Sequence, residues 1–428
     1  MLALMGAAAI APAAHAQSAS GSAVTRVVTP SNASQLSKPL KIVDRMPVLS
    51  SAEMQRLMRS TSIKPPVGQP GFLPGARPMQ SNNIKTTGSR NWGGFFMPHT
   101  TATVAGNKLA GSSASIDAQA PSIDPYNMTG KLYMLFPDGS GGTCTASLIG
   151  KGLLVTAAHC LATYGGGTSS KATKVFFVPS AFRAGTAWTL AGLNASGPYG
   201  AWESLSYTLP TCYVAGNCSQ QANGVVGSND VAVVQLKKNS SGQFPWQKGI
   251  GYYGYGWNGM GFVSNTDLLK TSGINWTSLT QLGYPSGLGT STATTGNSMI
   301  RTDAPALSYY GSTNYLGTKV HLWGTQQNPG SSGGPNIVNF GRKPSLTLTG
   351  INPPTPGLWA YENIVVGATS FGNFVMQRGG SSMFGQTTNF PNARYGTYGA
   401  GNIGSLVQKE CGTAAGQGAG NTNGACRI

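Results

Sequence analysis

Apolar residues in this chain gather in short runs closed by turn residues: Lys131 to Phe136, Lys174 to Val178, Asp230 to Leu236, Ser345 to Ile351 and Asn363 to Phe371. No long stretch repeats its apolar positions at the helical period of about 3.6 residues. The part after Ser122 therefore predicts an all-β architecture, long enough for one large β domain or two packed barrels. One short helix is expected at Ser51 to Met58, with Ser50 as its cap. From Gln17 to about Ser122 the chain is rich in Ser, Thr, Pro and Gly, and this predicts a poorly structured leader. No internal repeat is present.

Chemistry enters at Asn328-Pro329-Gly330-Ser331-Ser332-Gly333-Gly334-Pro335. A serine between glycines is how unrelated hydrolases present a nucleophile on a tight turn, and Ser332 is the candidate. The glycines let a substrate carbonyl approach main-chain N–H groups, of which Gly330 and Ser332 are the candidate oxyanion donors. In a chain with 61 Gly the same string also reads as a flexible loop, so a base has to be found.

The chain has only four histidines, His15, His99, His159 and His321. His15 and His99 fall in the leader region, and His321 reads as structural or exposed. His159 follows an apolar strand and small residues in Leu154-Val155-Thr156-Ala157-Ala158-His159-Cys160, which leaves room for an oriented imidazole. Of the eleven acids only Asp230 opens an apolar run, so it is the group expected to hold the second ring nitrogen; the alternative is a turn cap. The order His159, Asp230, Ser332 excludes an α/β-hydrolase, whose histidine follows its serine, and the subtilisin order, whose acid comes first.

T-A-A-H-C at 156 to 160, D-V-A-V-V at 230 to 234 and G-S-S-G-G-P at 330 to 335 together resemble the trypsin/chymotrypsin family, over roughly residues 120 to 405. Val366 to Gly372 resembles the family strand that binds substrate backbone, and Gly283-Tyr284-Pro285 resembles an element of its glutamyl-endopeptidase-like bacterial branch. The resemblance implies two packed six-stranded antiparallel barrels with the triad between them, and a first disulfide from Cys144 to Cys160. Relative to that pattern, Leu161 to Asn229 and Asn336 to Ile364 look enlarged. Where many members carry an aspartate before the nucleophile this chain has Ser331, so activation is expected to work by uncovering the cleft, after a cut between Arg90 and Ser122.

The first sixteen residues, apolar and ending in Ala14-His15-Ala16, read as the remnant of a secretory signal, too short to span a membrane. Residues 17–122 then read as a propeptide or linker and residues 123–428 as a protease domain with a Gly-rich C-terminal tail. Export calls for disulfides among the six cysteines, and proximity pairs Cys212 with Cys218 and Cys411 with Cys426. Their spacing is not that of a metal site, and neither a metal nor a cofactor is expected. The formal charge of +17 raises nucleic acid as a partner, but only 9% of residues are charged, the cations are scattered, and the leader holds eleven cations against three acids.

These readings converge on a secreted or periplasmic monomeric serine endopeptidase acting on proteins or peptides, with no nucleic-acid or membrane partner. The alternatives are an inactive protease-like binding module and a glutamyl endopeptidase. The substrate-binding positions implied by the resemblance are Gln326 at the pocket floor and Thr369, Ser370, Phe371 and Gly372 along the cleft. Gln326 and Thr369 are neutral where trypsin-like and glutamate-cleaving relatives carry aspartate and histidine, so a neutral side chain is expected on the acyl side.

Overall fold

A computed structural model gives the fold and describes residues 23–30, 38–59, 97–104, 124–220, 224–261, 274–290, 296–309, 320–341, 363–412, 418 and 420–426. The run from Ser345 to Ile351 and the signal segment lie outside these residues. The leader contributes three strands, β1 (Val24–Val28), β2 (Lys41–Ile42) and β3 (Thr100–Thr103). Then come β4 (Thr129–Leu135), β5 (Ser140–Leu148), β6 (Leu153–Thr156), β7 (Lys174–Pro179), β8 (Trp202–Pro210) and β9 (Ala232–Leu236). These six close into an antiparallel barrel in the order β4, β5, β6, β9, β8, β7 and back to β4.

The second half of the chain supplies β10 (Gly254–Tyr255), β11 (Ile274–Gly283), β12 (Ile300–Tyr309), β13 (Val320–Gly324), β14 (Pro335–Val338), β15 (Ile364–Asn373) and β16 (Arg378–Met383). Here β14, β11, β12, β13, β16 and β15 close a second antiparallel barrel, and β10 adds to β15 in parallel. Two six-stranded barrels are the architecture that the family resemblance implies. A shared core joins them, in which Val155 and Val233 of the first barrel pack in one cluster with Leu282, Ile337 and Val365 of the second. Each such fully buried side chain contributes roughly 1.5–3 kcal/mol of hydrophobic stabilisation. Disulfides join Cys144 to Cys160, Cys212 to Cys218 and Cys411 to Cys426.

Four of the apolar runs lie on β4, β7, β9 and β15. Other strands carry too little apolar character to announce themselves: β5 reads Ser-Gly-Gly-Thr-Cys-Thr-Ala-Ser-Leu and β16 Arg-Gly-Gly-Ser-Ser-Met, yet both are almost wholly buried. Small residues are required there. A Cβ on Gly380 of β16 would meet the Phe371 ring at 2.1 Å, and one on Gly141 of β5 would meet the Trp188 ring at 2.6 Å.

Two expectations are corrected. The leader is not poorly structured over its described residues: β1 pairs with β8, β2 with β5 and β3 with β12. The helix expected at Ser51 to Met58 is present as Ser51–Arg59, with the Ser50 and Glu53 side chains as its cap, and it buries Met54 and Leu57 beside Val320, Leu322 and Phe371. Composition alone missed the three leader strands because the apolar residues that anchor the leader are few and widely spaced.

The tail after the second barrel is likewise more than a Gly-rich end, since Gly401–Cys411 is a helix that buries Ile403, Leu406 and Val407. Its start, Gly401-Asn402-Ile403-Gly404-Ser405, disfavours helix, and packing against the barrels overrides that propensity. No helix among the described residues is long and apolar enough to cross a membrane.

Candidate active site

Strand register brings the three candidate residues together. Thr156 at the end of β6 lies opposite Ala232 at the start of β9, so His159, three residues beyond Thr156, meets Asp230, two residues before Ala232. Pro335 of β14 lies opposite Ala368 of β15, which brings Ser332 to the same end of the sheet as Ser370. The site therefore sits where the ends of four strands, two from each barrel, converge.

His159 occupies a short helical turn, Ala158–Leu161, and is 2% exposed. Its Nδ1 lies 2.7 Å from Asp230 Oδ2, and its main-chain N–H donates to Asp230 Oδ1 at 2.8 Å. Ser370 Oγ donates to the same Oδ2 at 2.5 Å. Asp230 is thus not a simple turn cap: it is fully buried and holds both the ring and the backbone of His159. With Nδ1–H donating to the carboxylate, Nε2 is the ring nitrogen left to accept a proton. Nε2 of His159 and Oγ of Ser332 are both buried and have no hydrogen-bond partner among the described residues.

The loop holding Ser332 needs its glycines. Gly330 and Gly333 have φ of 96° and 75°. A Cβ on Gly330 would come within 2.5 Å of the Tyr284 carbonyl, and one on Gly333 within 2.0 Å of Thr156 Oγ1. The loop is held from both sides, since the Thr145 N–H donates to the Ser332 carbonyl at 2.8 Å and the Gly333 N–H to the Thr369 carbonyl at 2.7 Å. The N–H groups of Gly330 and Ser332 donate to no other described residue. Ser331, a neutral residue, donates its hydroxyl to the Asn328 carbonyl within the loop at 2.8 Å, beside Ser332.

The remaining predicted positions differ in what they offer. Gln326 is half-buried and its amide meets Gln377 at 3.3 Å. Thr369 is buried, accepts from Gln281 and Asn336, and donates its hydroxyl to the Gly334 carbonyl at 3.1 Å, so that hydroxyl is committed. Phe371 is fully buried and turns its ring into the core, so its side chain is not free to meet a ligand. Gly372 is engaged by the leader: its N–H donates to the Pro47 carbonyl and its carbonyl accepts from Leu49 N–H.

His321 is not part of this group. It lies buried on β13 with Nδ1 3.2 Å from Ser381 Oγ, and burial pushes its pKa down to about 3. His99 has Nδ1 2.8 Å from the Met97 carbonyl. The sulfurs of Cys144 and Cys160 and the ring of His159 lie within 4.8 Å of one another, but both sulfurs are spent on their disulfide and offer no thiolate.

Sequence reasoning missed Thr145, whose hydroxyl donates to the Gly330 carbonyl at 2.8 Å and accepts the Tyr284 N–H at 2.9 Å. The only signal was its place beside Cys144. A leader that covers the cleft was expected, but that residues 44–49 run beside Gly372 was not legible.

Residues 122–380 match the family model described as Trypsin. Among solved structures, the chain is similar to the protease Anisep from Arthrobacter nicotinovorans, with 19% identity, 61% of this chain and 91% of that chain covered, and a TM-score of 0.40. It is similar to a thermostable serine protease, AL20, from an extremophilic microorganism, with 15% identity, coverage of 60% and 92%, and a TM-score of 0.41. A Glu endopeptidase shares 14% identity, with coverage of 66% and 90% and a TM-score of 0.38. Among curated proteins none matches this sequence.

Proposed function

The chain belongs to the trypsin family and is a serine endopeptidase; from that premise we propose that His159, Asp230 and Ser332 perform the acyl transfer. His159 Nε2 takes the proton from Ser332 Oγ as the oxygen attacks a peptide carbonyl, and the imidazolium returns it to the leaving amine. Water then attacks the acyl-enzyme by the same route in reverse roles. Asp230 fixes the tautomer and stabilises the imidazolium. The N–H groups of Gly330 and Ser332 hold the oxyanion, where losing one donor typically costs about 3 kcal/mol.

The observation that carries this reading is the grip of Asp230 on His159, with Nε2 left as the free acceptor and Ser332 Oγ unengaged. A fluorophosphonate probe applied to processed protein tests it. Labelling located at Ser332 and lost in Ser332→Ala supports the triad; a processed protein that cleaves peptides without that label refutes it.

On the acyl side we propose a neutral residue. The pocket positions Gln326 and Thr369 carry no charge, and the Thr369 hydroxyl is spent on the Gly334 carbonyl. A buried lysine or arginine would lose several kcal/mol of solvation with nothing to repay it, and a carboxylate would find one donor fewer than composition suggests. Digestion of a mixed peptide library, read by mass spectrometry, tests this; a dominant signal for Arg, Lys or Glu on the acyl side would overturn it.

The remaining proposals concern processing. Residues 1–16 belong to a secretory signal, residues 17–122 act as a propeptide and residues 123–428 as the protease, which works as a monomer outside the cytoplasm. Three disulfides are the supporting observation, because they persist in an oxidising compartment. Sequencing the N-terminus of active secreted material tests the boundary. A mature form that begins near Gln17 would refute the propeptide.

A further inference from the structure

Leader residues 38–59 make an ordered passage along the site. Leu40 N–H donates to the Gly139 carbonyl at 2.9 Å, β2 pairs in parallel with Ser140 and Gly141, and Val43 N–H donates to the Gly141 carbonyl at 2.7 Å. The chain then turns, with Met46 N–H on the Asp44 carboxylate at 3.0 Å, and Asp44 lies within electrostatic reach of His159. Arg45 rests its guanidinium 3.5 Å from the Phe136 ring centroid and donates to Thr163 Oγ1 at 2.9 Å. Met46 is buried, with its methyl facing Gly372. Val48 then bridges Gly372 in parallel, Leu49 N–H donates to the Gly372 carbonyl at 2.9 Å, and Asn373 Nδ2 donates to the Leu49 carbonyl at 2.8 Å.

The two ends of this passage lie on opposite flanks of the candidate nucleophile. Ser332 is bonded to β5 through Thr145, and Gly333 to β15 through Thr369. A peptide substrate places the half before its scissile bond on the acyl side. If that half pairs with β15 at Ser370 and Gly372, the half after the bond leaves toward β5. A substrate therefore runs from β15 to β5. The leader runs from β5 to β15.

We propose that residues 39–49 inhibit the enzyme by occupying its cleft in the reverse direction, and that this polarity keeps the segment from being cut where it lies. The proposal rests on the assignment of Ser332 and β15 made above. Both hydrogen-bonding groups of Gly372 are taken, so a substrate strand cannot add there. With the backbone reversed, the nitrogen of any bond over Ser332 faces the acyl side, away from where a leaving amine would collect its proton. Ser332 and His159 are 1% and 2% exposed, as a covered site requires. The helix Ser51–Arg59 anchors the far end by burying Met54 and Leu57 with Leu49. Every cysteine follows residue 143, so once the chain is cut beyond this helix only non-covalent contacts retain the inhibitor.

The test uses the full chain and three variants. Arg45→Glu removes the contacts with Phe136 and Thr163 from a partly exposed position and is expected to fold. Leu49→Pro removes the N–H that binds Gly372, and Ser332→Ala supplies the inactive control. Fluorophosphonate labelling and hydrolysis of a peptide library are measured alongside thermal midpoints. The expected result is at least about tenfold faster labelling and hydrolysis for Arg45→Glu than for the unaltered chain, the shift that losing these two contacts gives to an open and closed equilibrium. Mass spectrometry should find no cut between Asp44 and Leu49 even after long incubation. Equal rates in the unaltered chain and in folded Arg45→Glu would overturn the inhibition. A cut within 44–49 that disappears in Ser332→Ala would overturn the reversed polarity. If protein processed by an added protease hydrolyses the library yet is never labelled at Ser332, the site assignment fails and takes the proposal with it.

Discussion

Thr145 Oγ1 donates its hydrogen to the carbonyl of Gly330 while accepting the N–H of Tyr284, and so clamps the loop that carries Ser332 against the loop that follows β11. Thr145 is fully buried, so water cannot replace either bond.

Thr145→Val keeps the shape and removes the hydrogen bonds. Each of the two buried groups left unpaired costs about 1–3 kcal/mol, so the variant should lose about 2–6 kcal/mol of stability in a denaturant titration. Because Gly330 supplies a proposed oxyanion N–H, kcat of the processed enzyme should fall by at least about tenfold at unchanged KM. A fall confined to stability would separate the clamp from the chemistry.

Asp230→Asn should leave the fold standing, since the amide still fits the buried space among His159 and Ser370. It changes the preferred imidazole tautomer, and kcat should fall by about 10⁴-fold. Peptide hydrolysis by the processed variant checks this; a loss below about tenfold would mean that Asp230 only anchors the turn.

Arg26 on β1 pairs with Glu410 in the C-terminal helix at 3.2 Å, and Glu410 also accepts from Ser206 and Thr208. Burial pushes the Glu410 carboxyl up, with Thr208, Ser206 and Arg26 opposing. A raised carboxylate stabilises the fold below its unfolded value and loses that contribution as pH climbs through the folded one. Arg26→Ala raises it further, so the variant should be destabilised by about 3 kcal/mol at pH 8 and progressively less toward pH 4. Thermal midpoints across that range read the trend.

His321 works in the opposite sense. Its folded value, about 3, lies below that of an unfolded histidine, so the unfolded chain takes up the proton first as the solution is acidified. Stability should fall as pH drops from about 6.5 toward 3, by up to about 1.4 kcal/mol per pH unit from this group. In His321→Gln that part of the slope should vanish, and denaturation at pH 7, 5 and 4 measures the difference.

The sequence singles out His159, Asp230 and Ser332 as candidates because each sits in a local pattern that few other roles demand. Glycines at 330 and 333 are forced by positive φ and by contacts under 3 Å, and such steric demands write themselves into the chain. Thr145 stayed hidden because a buried threonine bridging two distant loops looks like any other strand threonine. The burial of the Phe371 ring was not legible either, because the register shift between Thr369 and Phe371 interrupts the period-two alternation along β15. The strands β5 and β16 were hard to see because their glycines answer to neighbours far along the chain rather than to their own conformation.

β1 lies beside Ser206–Pro210, on the flank of β8 whose first residues, Trp202 and Glu203, pair with β7. It therefore finishes a sheet margin that the barrel itself leaves half covered. A protease stripped of residues 24–28 would expose a ready row of backbone donors and acceptors at β8, the kind of open edge on which chains add to one another. Keeping β1 in place after processing would protect the enzyme from self-association. Losing it would tie solubility to the same event that frees the cleft.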